Sequence, residues 1–166
     1  MRILIVRHGQ AGKADVNIHP DDDLRPLTGK GRKAFKQAAK GLRTLGMRPS
    51  GILTSPAKRT LQTAKLLAHA VDLDPGHILG APELHHEVSP AKALEALARK
   101  RLPKSIAMVG HEPWLGRFLS LLLAGNEHVR FELDKGGACL VESASLAKGK
   151  GRLVWFMTQD QLAALA

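Results

Sequence analysis

Near its start the chain has a short apolar run, residues 3–6, that leads directly into Arg7, His8 and Gly9. Such a run predicts a buried strand, which would deliver a guanidinium and an imidazole to its carboxyl end, where open α/β sheets bind ligands. Neutral imidazole is a nucleophile, arginine clamps anions in a plane, and glycine lets the backbone approach a ligand closely. The pattern therefore indicates attack by histidine on a phosphoryl group.

Two further segments could complete such a site. Residues 105–109 predict another buried strand, which ends just before His111. Ser55 and Pro56 predict the start of a helix, as its cap and its first helical residue, with Arg59 in the first turn. If the strands are neighbours, these side chains meet the first pair in one pocket. There the arginines would balance charge on the equatorial oxygens, the helix start would add a positive field, and the second histidine would donate a hydrogen bond.

The elements between these motifs predict the fold class. Thr28 would cap a helix that runs to about Leu45, Ser89 would start one that runs to about Arg101, and residues 114–124 form a very apolar helix. A short buried strand is predicted at residues 51–54. The helix that contains Arg59 would bury one stripe of side chains: Leu61, Ala64, Leu67, Ala68 and Val71. Strands that alternate with helices predict a largely parallel sheet with helices on both faces.

The last third of the chain has a different pattern. Three runs predict strands joined by turns that contain glycine: Val129–Leu133, Ala138–Val141 and Leu153–Met157. Thr158 would cap a short final helix. At least one antiparallel strand is therefore expected. Together the elements predict a single-domain three-layer α/β/α sandwich over residues 1–166, a length suited to one core.

Composition narrows the setting and the partners. The formal net charge of +10 permits nucleic acid, membrane surfaces, acidic proteins or phosphorylated ligands as partners and selects none of them. The chain has no tyrosine, and no basic stretch is interleaved with aromatic residues, so nucleic acid is not the expected partner. No apolar run is long enough for a signal peptide or a membrane span. Cys139 is the only cysteine, so no intrachain disulfide can form. We expect a cytoplasmic protein that does not bind membranes.

Three ordered motifs resemble those of the histidine phosphatase superfamily, also called phosphoglycerate-mutase-like. Arg7-His8-Gly9 resembles the signature of that family. Residues 55–64, with Arg59, resemble its second motif, and residues 109–115, with His111, resemble its third. Residues 25–28 and the short length are similar to the small SixA-type phosphohistidine phosphatases. The resemblance covers nearly the whole chain.

The resemblance implies a mechanism and a set of site residues. His8 would attack the phosphorus and become phosphorylated, and water would then hydrolyse that intermediate. Arg7, Gly9, Arg59 and His111 would bind the phosphoryl group. Neither a metal ion nor another cofactor is expected. The adjacent pair at residues 85 and 86 would diverge on a strand or helix, and a surface loop is predicted for it.

The general acid is the least defined part of the predicted site. Glu83 is the nearest candidate for a proton donor to the leaving group, and Glu87 is the second. Neither lies in the pattern that larger family members have. A sugar or glycerate alkoxide needs such a proton, whereas imidazole leaves more easily because its nitrogen titrates near neutrality, with a pKa of about 6.5. A site without a firm acid favours phosphohistidine or reactive esters.

Three functions remain open from the sequence. The leading hypothesis is a phosphohistidine phosphatase that acts on a phosphorylated protein, such as a histidine-containing phosphotransfer domain. The second is a phosphomonoesterase for a small phosphorylated metabolite. The third, from another class, is a basic non-catalytic module that binds phosphorylated ligands or nucleic acid, for which binding should depend steeply on salt. The sequence does not specify an oligomeric state.

Overall fold

Six strands form one mixed sheet at the centre of the computed structural model, which describes residues 1–166. In chain order they are β1 (Arg2–Arg7), β2 (Ile52–Thr54), β3 (Ile78–Gly80), β4 (Ser105–Gly110), β5 (Ala138–Ser143) and β6 (Gly151–Met157). Their order across the sheet is β3-β2-β4-β1-β5-β6. Strands β1 to β4 pair in parallel, whereas β5 runs antiparallel to both β1 and β6. The predicted mostly parallel sheet with at least one antiparallel strand is confirmed.

Five helices cover the two faces of this sheet. They are α1 (Gly29–Thr44), α2 (Lys58–Ala70), α3 (Pro90–Ala98), α4 (Trp114–Ala124) and α5 (Gln159–Ala163). One buried apolar cluster joins α1, α2 and α5 to the sheet and includes Phe35 and Leu67. A second cluster joins α3 and α4 to the opposite face and includes Leu97 and Phe118. The architecture is therefore the predicted three-layer α/β/α sandwich.

Most helix starts lie where the capping residues predicted them. The Thr28 hydroxyl accepts the backbone N–H of Gly31 at 2.9 Å, and Ser89 and Thr158 cap α3 and α5 in the same way. The predicted end of α3 near residue 101 is wrong, since that helix ends at Ala98. The proline at position 103 disfavours helical backbone just before it.

The start of α2 differs from the prediction. This helix begins at Lys58 without a side-chain cap, so Ser55 is not its N-cap. The Ser55 hydroxyl instead lies 2.8 Å from Nε2 of His111. Leu61 was expected in the buried stripe but is 36% exposed, because the buried face of α2 runs through two threonines that hydrogen-bond to the backbone, Thr60 and Thr63.

Residues 129–133 do not form the predicted strand. Their backbone hydrogen bonds go to side chains: the N–H of Val129 donates to Ser120 Oγ at 3.1 Å, and the N–H of Leu133 donates to Glu112 Oε1 at 2.9 Å. The carbonyl of Leu133 accepts from Arg7 at 2.6 Å. These polar partners satisfy backbone groups that a strand would have paired with a neighbour.

Four short elements have no clear periodic signal in the sequence: the edge strand β3 and three 3₁₀ helices, at Asp22–Leu24, Pro75–His77 and Pro82–Leu84. Each is only three residues long, too short for an apolar pattern to emerge. Cys139 is fully buried in the sheet. None of the helices is long and apolar enough to cross a membrane.

Candidate active site

The carboxyl ends of β1 and β4 lie side by side and bring the predicted residues together. Arg7 is the register partner of Gly110, so the residues that follow each of them enter the same edge of the sheet. There a cavity of about 360 Å³ opens. Its lining contains no apolar side chain except that of a proline and consists of Arg7, His8, Asp22, Arg25, Arg59, His86, His111, Glu112, Pro113 and Lys135. All four side chains that were predicted to converge line it.

His8 is held in the orientation that a nucleophile requires. Its Nδ1 lies 2.7 Å from the carbonyl oxygen of Gly9, to which it donates as an N–H in the neutral ring. This tautomer leaves the lone pair on Nε2 for attack. Burial, together with the positive charges of Arg59, Arg7 and Arg25, lowers the pKa of His8 to about 4, and the Gly9 carbonyl acts in the opposite direction. The imidazole is therefore neutral at physiological pH.

Gly9 lies behind the cavity rather than in its lining. Its N–H donates to Thr63 Oγ1 at 3.1 Å, so this donor is already used within the protein. A Cβ added at Gly9 would lie 3.4 Å from that of Phe35, so the close approach made by this glycine is to α1. Gly9 is not among the residues that line the cavity, and its visible contribution is the carbonyl that orients His8.

The two predicted arginines are anchored by one end of each guanidinium. Nη1 of Arg7 donates to the Leu133 carbonyl at 2.6 Å, and Nη1 of Arg59 donates to the Asp22 carbonyl at 2.6 Å. Nη2 of Arg59 also lies 3.0 Å from Asp22 Oδ2. In both arginines Nε is buried and makes no hydrogen bond within the protein. These oriented donors are available to the oxygens of a phosphoryl group.

His111 lies beside the nucleophile with one ring nitrogen used and one free. Its ring centroid is 5.4 Å from that of His8, and its Nε2 is 2.8 Å from Ser55 Oγ. A serine hydroxyl that donates to Nε2 leaves the proton on Nδ1, which is buried without a partner. Burial, then the charge of Arg59, lowers the pKa of His111 to about 2. A neutral ring can thus donate one hydrogen bond into the cavity.

Six lining residues were not predicted as site residues, and the first 3₁₀ helix and its flank supply two of them. Asp22 bridges two arginines: Arg25 Nε donates to its Oδ1 at 2.8 Å, while Arg59 binds Oδ2. The hydrogen bond from Arg25 holds the pKa of the Asp22 carboxyl below its usual range. Both residues lie in or next to a polar loop, where no periodicity shows which side chains face inward.

The other four lining residues that were not predicted also lie outside the regular helices and strands. Lys135 adds an ammonium group to the three guanidiniums, and His86 and Pro113 complete the rim. Glu112 directly follows His111 in the chain and is largely buried. Its Oε2 accepts the N–H of Gly116 at 3.1 Å, in addition to the Leu133 N–H on Oε1. Burial raises the pKa of Glu112. Its adjacency to His111 was the one sequence signal that could have identified it.

Neither predicted general acid lies in the lining. Glu83 is on the third 3₁₀ helix, where its Oε1 lies 2.5 Å from the Lys100 ammonium. That hydrogen bond lowers the pKa of Glu83, so its carboxyl is ionised. Glu87 is exposed and lies 3.6 Å from His85 Nδ1. The structure therefore does not bring either glutamate to the phosphoryl position.

His85 and His86 lie in a loop, as predicted, but their rings approach one another. The ring centroids are 4.2 Å apart with an interplanar angle of 41°. Nε2 of His85 lies 2.8 Å from Asp23 Oδ2, and the His86 ring is 6.1 Å from that of His111. Asp23, His85 and His86 are the one group of three or more His, Cys, Asp and Glu side chains whose ligand atoms lie within 4.8 Å of one another.

The geometry favours transfer of a tetrahedral oxyanion. A neutral imidazole with a free Nε2, two guanidiniums with unused Nε–H donors and a second imidazole that can donate all face one cavity. Positive groups of this kind stabilise charge on the transferring phosphoryl oxygens, which is the main catalytic requirement of phosphoryl transfer.

Comparison with known proteins agrees with this interpretation. A family model described as histidine phosphatase superfamily (branch 1) matches residues 3–87. An uncharacterised protein from Picosynechococcus sp. is 34% identical over 143 residues, which cover 82% of this chain and 82% of that protein.

Two solved structures share the fold at low sequence identity. The structure of the protein histidine phosphatase SixA complexed with tungstate gives a TM-score of 0.80 at 24% identity and covers 98% of this chain and 99% of the other. A mycobacterial glucosyl-3-phosphoglycerate phosphatase gives 0.67 at 14% identity and covers 95% and 98%. At these identities the likeness concerns the architecture, and the two activities are those of the other proteins.

Proposed function

The chain belongs to the histidine phosphatase superfamily (branch 1), and from that premise we propose that it is a phosphohistidine phosphatase of SixA type with His8 as its nucleophile. Membership of the family and the fold support phosphatase activity in general. The choice of a protein phosphohistidine as substrate rests on the groups that face the cavity.

The proposed reaction has two displacements at phosphorus. In the first, the Nε2 lone pair of His8 forms a P–N bond while the bond to the leaving group breaks, and the leaving nitrogen or oxygen takes the electron pair. In the second, water attacks the phosphorus, the bond to His8 breaks, and inorganic phosphate leaves with the proton that water releases. Arg7, Arg59 and His111 hold the equatorial oxygens through both steps.

The observation that carries the substrate assignment is that neither carboxylate in the cavity is arranged to donate a proton. Asp22 is held ionised between Arg25 and Arg59. Burial raises the pKa of Glu112, but both of its oxygens accept backbone N–H groups, which favours the ionised carboxylate. An alkoxide leaving group needs a proton from an acid, whereas an imidazole needs far less help. The site therefore suits cleavage of a P–N bond.

A small phosphate ester is the second candidate, and the size of the cavity favours it. A volume of about 360 Å³ is sufficient to enclose a phosphorylated metabolite of modest size. Esters with good leaving groups would be hydrolysed by the same residues.

A substrate panel with matched variants tests the assignment. Three proteins are compared: wild type, His8→Ala and the control His77→Ala, which changes an exposed histidine. Each is assayed on a phosphohistidine protein and on sugar phosphates and phosphoglycerates. We expect wild type and the control to release phosphate from phosphohistidine fastest, and His8→Ala to lose at least about 10³-fold. A phosphorylated intermediate should be trapped on His8, and vanadate should inhibit.

Three results would contradict the proposal in different ways. Wild-type turnover by His8→Ala would show that His8 is not the nucleophile and would refute the mechanism. Faster turnover of sugar phosphates than of phosphohistidine would keep the mechanism and assign a metabolite phosphatase instead. Binding of phosphorylated ligands without turnover would support the non-catalytic alternative.

A further inference from the structure

One cluster of side chains beside the cavity has a chemistry that the phosphatase reaction does not use. The metal-ligating atoms of Asp23, His85 and His86 all lie within 4.8 Å of one another. The cluster joins two parts of the chain, the first 3₁₀ helix and the turn that follows the third. Neighbouring residues on a strand or helix would point apart, and it is this turn that lets two consecutive imidazoles converge.

The bonding within the cluster leaves room for a cation. Asp23 Oδ1 is buried and has no hydrogen-bond partner, and no protein group hydrogen-bonds to the His86 ring. The backbone N–H of Glu87 lies 3.4 Å from His85 Nδ1, so Nε2 carries the proton that faces Asp23. The cluster thus combines one held imidazole, one free imidazole and one carboxylate with an unused oxygen.

We propose that Asp23, His85 and His86 bind one divalent ion of the zinc class at the rim of the cavity. Two imidazoles and one carboxylate, with a fourth position open, form a donor set typical of zinc. Bonds of about 2.0 to 2.2 Å place ligand atoms roughly 3.3 Å apart in a tetrahedral site. The 2.8 Å contact between His85 Nε2 and Asp23 Oδ2 would widen by about half an ångström as the ion binds the Nε2 lone pair and the ring proton moves to Nδ1, on the side of the Glu87 carboxylate.

The cluster is coupled to the phosphate-binding residues through one peptide unit. Asp22, the residue before Asp23, holds Arg59 through both its carbonyl and its carboxylate. A phosphoryl group that binds Nε of Arg59 would lie beside that carboxylate and be repelled by its negative charge. A metal bond to Asp23 would link this 3₁₀ helix to the loop at residues 85 and 86. The link would restrain Asp22 in its ion pair with Arg59. Occupation of the site therefore weakens substrate binding, a consequence that rests on the proposed function.

Metal titration of the full chain tests the site itself. Protein freed of metal with a chelator is titrated with Zn²⁺ by calorimetry and with Co²⁺ by visible absorption. We expect one ion per chain, absorption typical of low-coordinate Co²⁺, and no binding of Mg²⁺, which prefers oxygen ligands. His86→Ala and His85→Ala should each weaken Zn²⁺ binding by at least about 30-fold, whereas His77→Ala should not.

Unchanged Zn²⁺ affinity in a folded His86→Ala or His85→Ala variant, checked by circular dichroism, would overturn the proposed site. Absence of saturable Zn²⁺ binding in wild type below about 0.1 mM would overturn it as well, since three ligands should exceed that affinity. Neither readout depends on phosphatase activity, so failure of the metal site is distinguishable from failure of the proposed function.

Kinetics test the coupling separately. Saturating Zn²⁺ should raise the KM of wild type about five-fold or more with a smaller effect on kcat, because the metal opposes binding rather than the chemical step. Asp22→Asn should bind Zn²⁺ with wild-type affinity and lose the metal effect on KM. An equal KM with and without saturating Zn²⁺ in wild type would refute the coupling.

Discussion

The low pKa of His8 makes a specific prediction about stability at acidic pH. In the folded protein the pKa of this buried imidazole is about 4, whereas histidine in an unfolded chain has a pKa near 6.5. Between these two values the unfolded state binds a proton that the folded state does not. The free energy of unfolding therefore falls as the pH is lowered below 6.5, and the loss levels off near pH 4.

The size of this effect follows from the two pKa values. At pH 8 both states leave His8 neutral, so its contribution is close to zero. At pH 5 the histidine is almost fully protonated in the unfolded state and mostly neutral in the folded state. This difference lowers the free energy of unfolding by about 2 kcal/mol. Replacing His8 by glutamine removes the proton site. The decrease in the free energy of unfolding between pH 8 and pH 5 should then be smaller by about 2 kcal/mol than in wild type.

Urea unfolding at the two pH values measures this difference. The comparison uses wild type, His8→Gln and the control His77→Gln, because the control removes an exposed histidine. The control should lose as much stability as wild type. If His8→Gln lost as much as wild type between pH 8 and pH 5, the imidazole would not be buried in its neutral form and the argument would fail.

Three further substitutions test other parts of the site and the fold. Ser55→Ala removes the hydroxyl that orients the second histidine and should lower kcat at least about ten-fold in steady-state assays, with circular dichroism unchanged. Arg59→Lys keeps the charge but loses the planar fork, so kcat/KM should fall about 10²-fold and vanadate inhibition should weaken. Gly41→Ala would force a Cβ onto the carbonyl oxygen of Leu162 and should destabilise the protein by about 2 kcal/mol or more in thermal unfolding, whereas Gly29→Ala, with open space around it, should not. Wild-type behaviour in any of the first three variants would contradict the contact from which its effect is derived.

The parts of the fold predicted from sequence are those with strong periodic patterns or clear end signals. The residue ranges of β1 and α4 and the caps at Thr28 and Ser89 could be located because apolar runs and capping side chains act locally. Ser55 shows the limit of this reasoning. A serine before a proline is a typical helix start, yet the tertiary contact to His111 takes its hydroxyl instead.

The residues of the candidate site also differ in how well the sequence predicts them. His8, Arg59 and His111 could be placed together because parallel neighbours bring their carboxyl ends to one edge of the sheet. Asp22 could not be assigned, and Glu112 offered only its adjacency to His111, since residues outside regular elements owe their orientation to contacts with distant parts of the chain. Residues 129–133 resembled a strand in composition, but side chains of the site determine their path.

Arg7 donates a hydrogen bond to the Leu133 carbonyl, so the position of this guanidinium depends on both halves of the polypeptide. A fragment that ends after α2 would retain the first histidine and both arginines, yet one guanidinium would have no tether and the second histidine would be missing. Separate expression of two complementary fragments should thus yield no turnover from either alone. Turnover recovered on mixing would report reassembly of the central sheet. Phosphate release can therefore be used as a measure of complete folding.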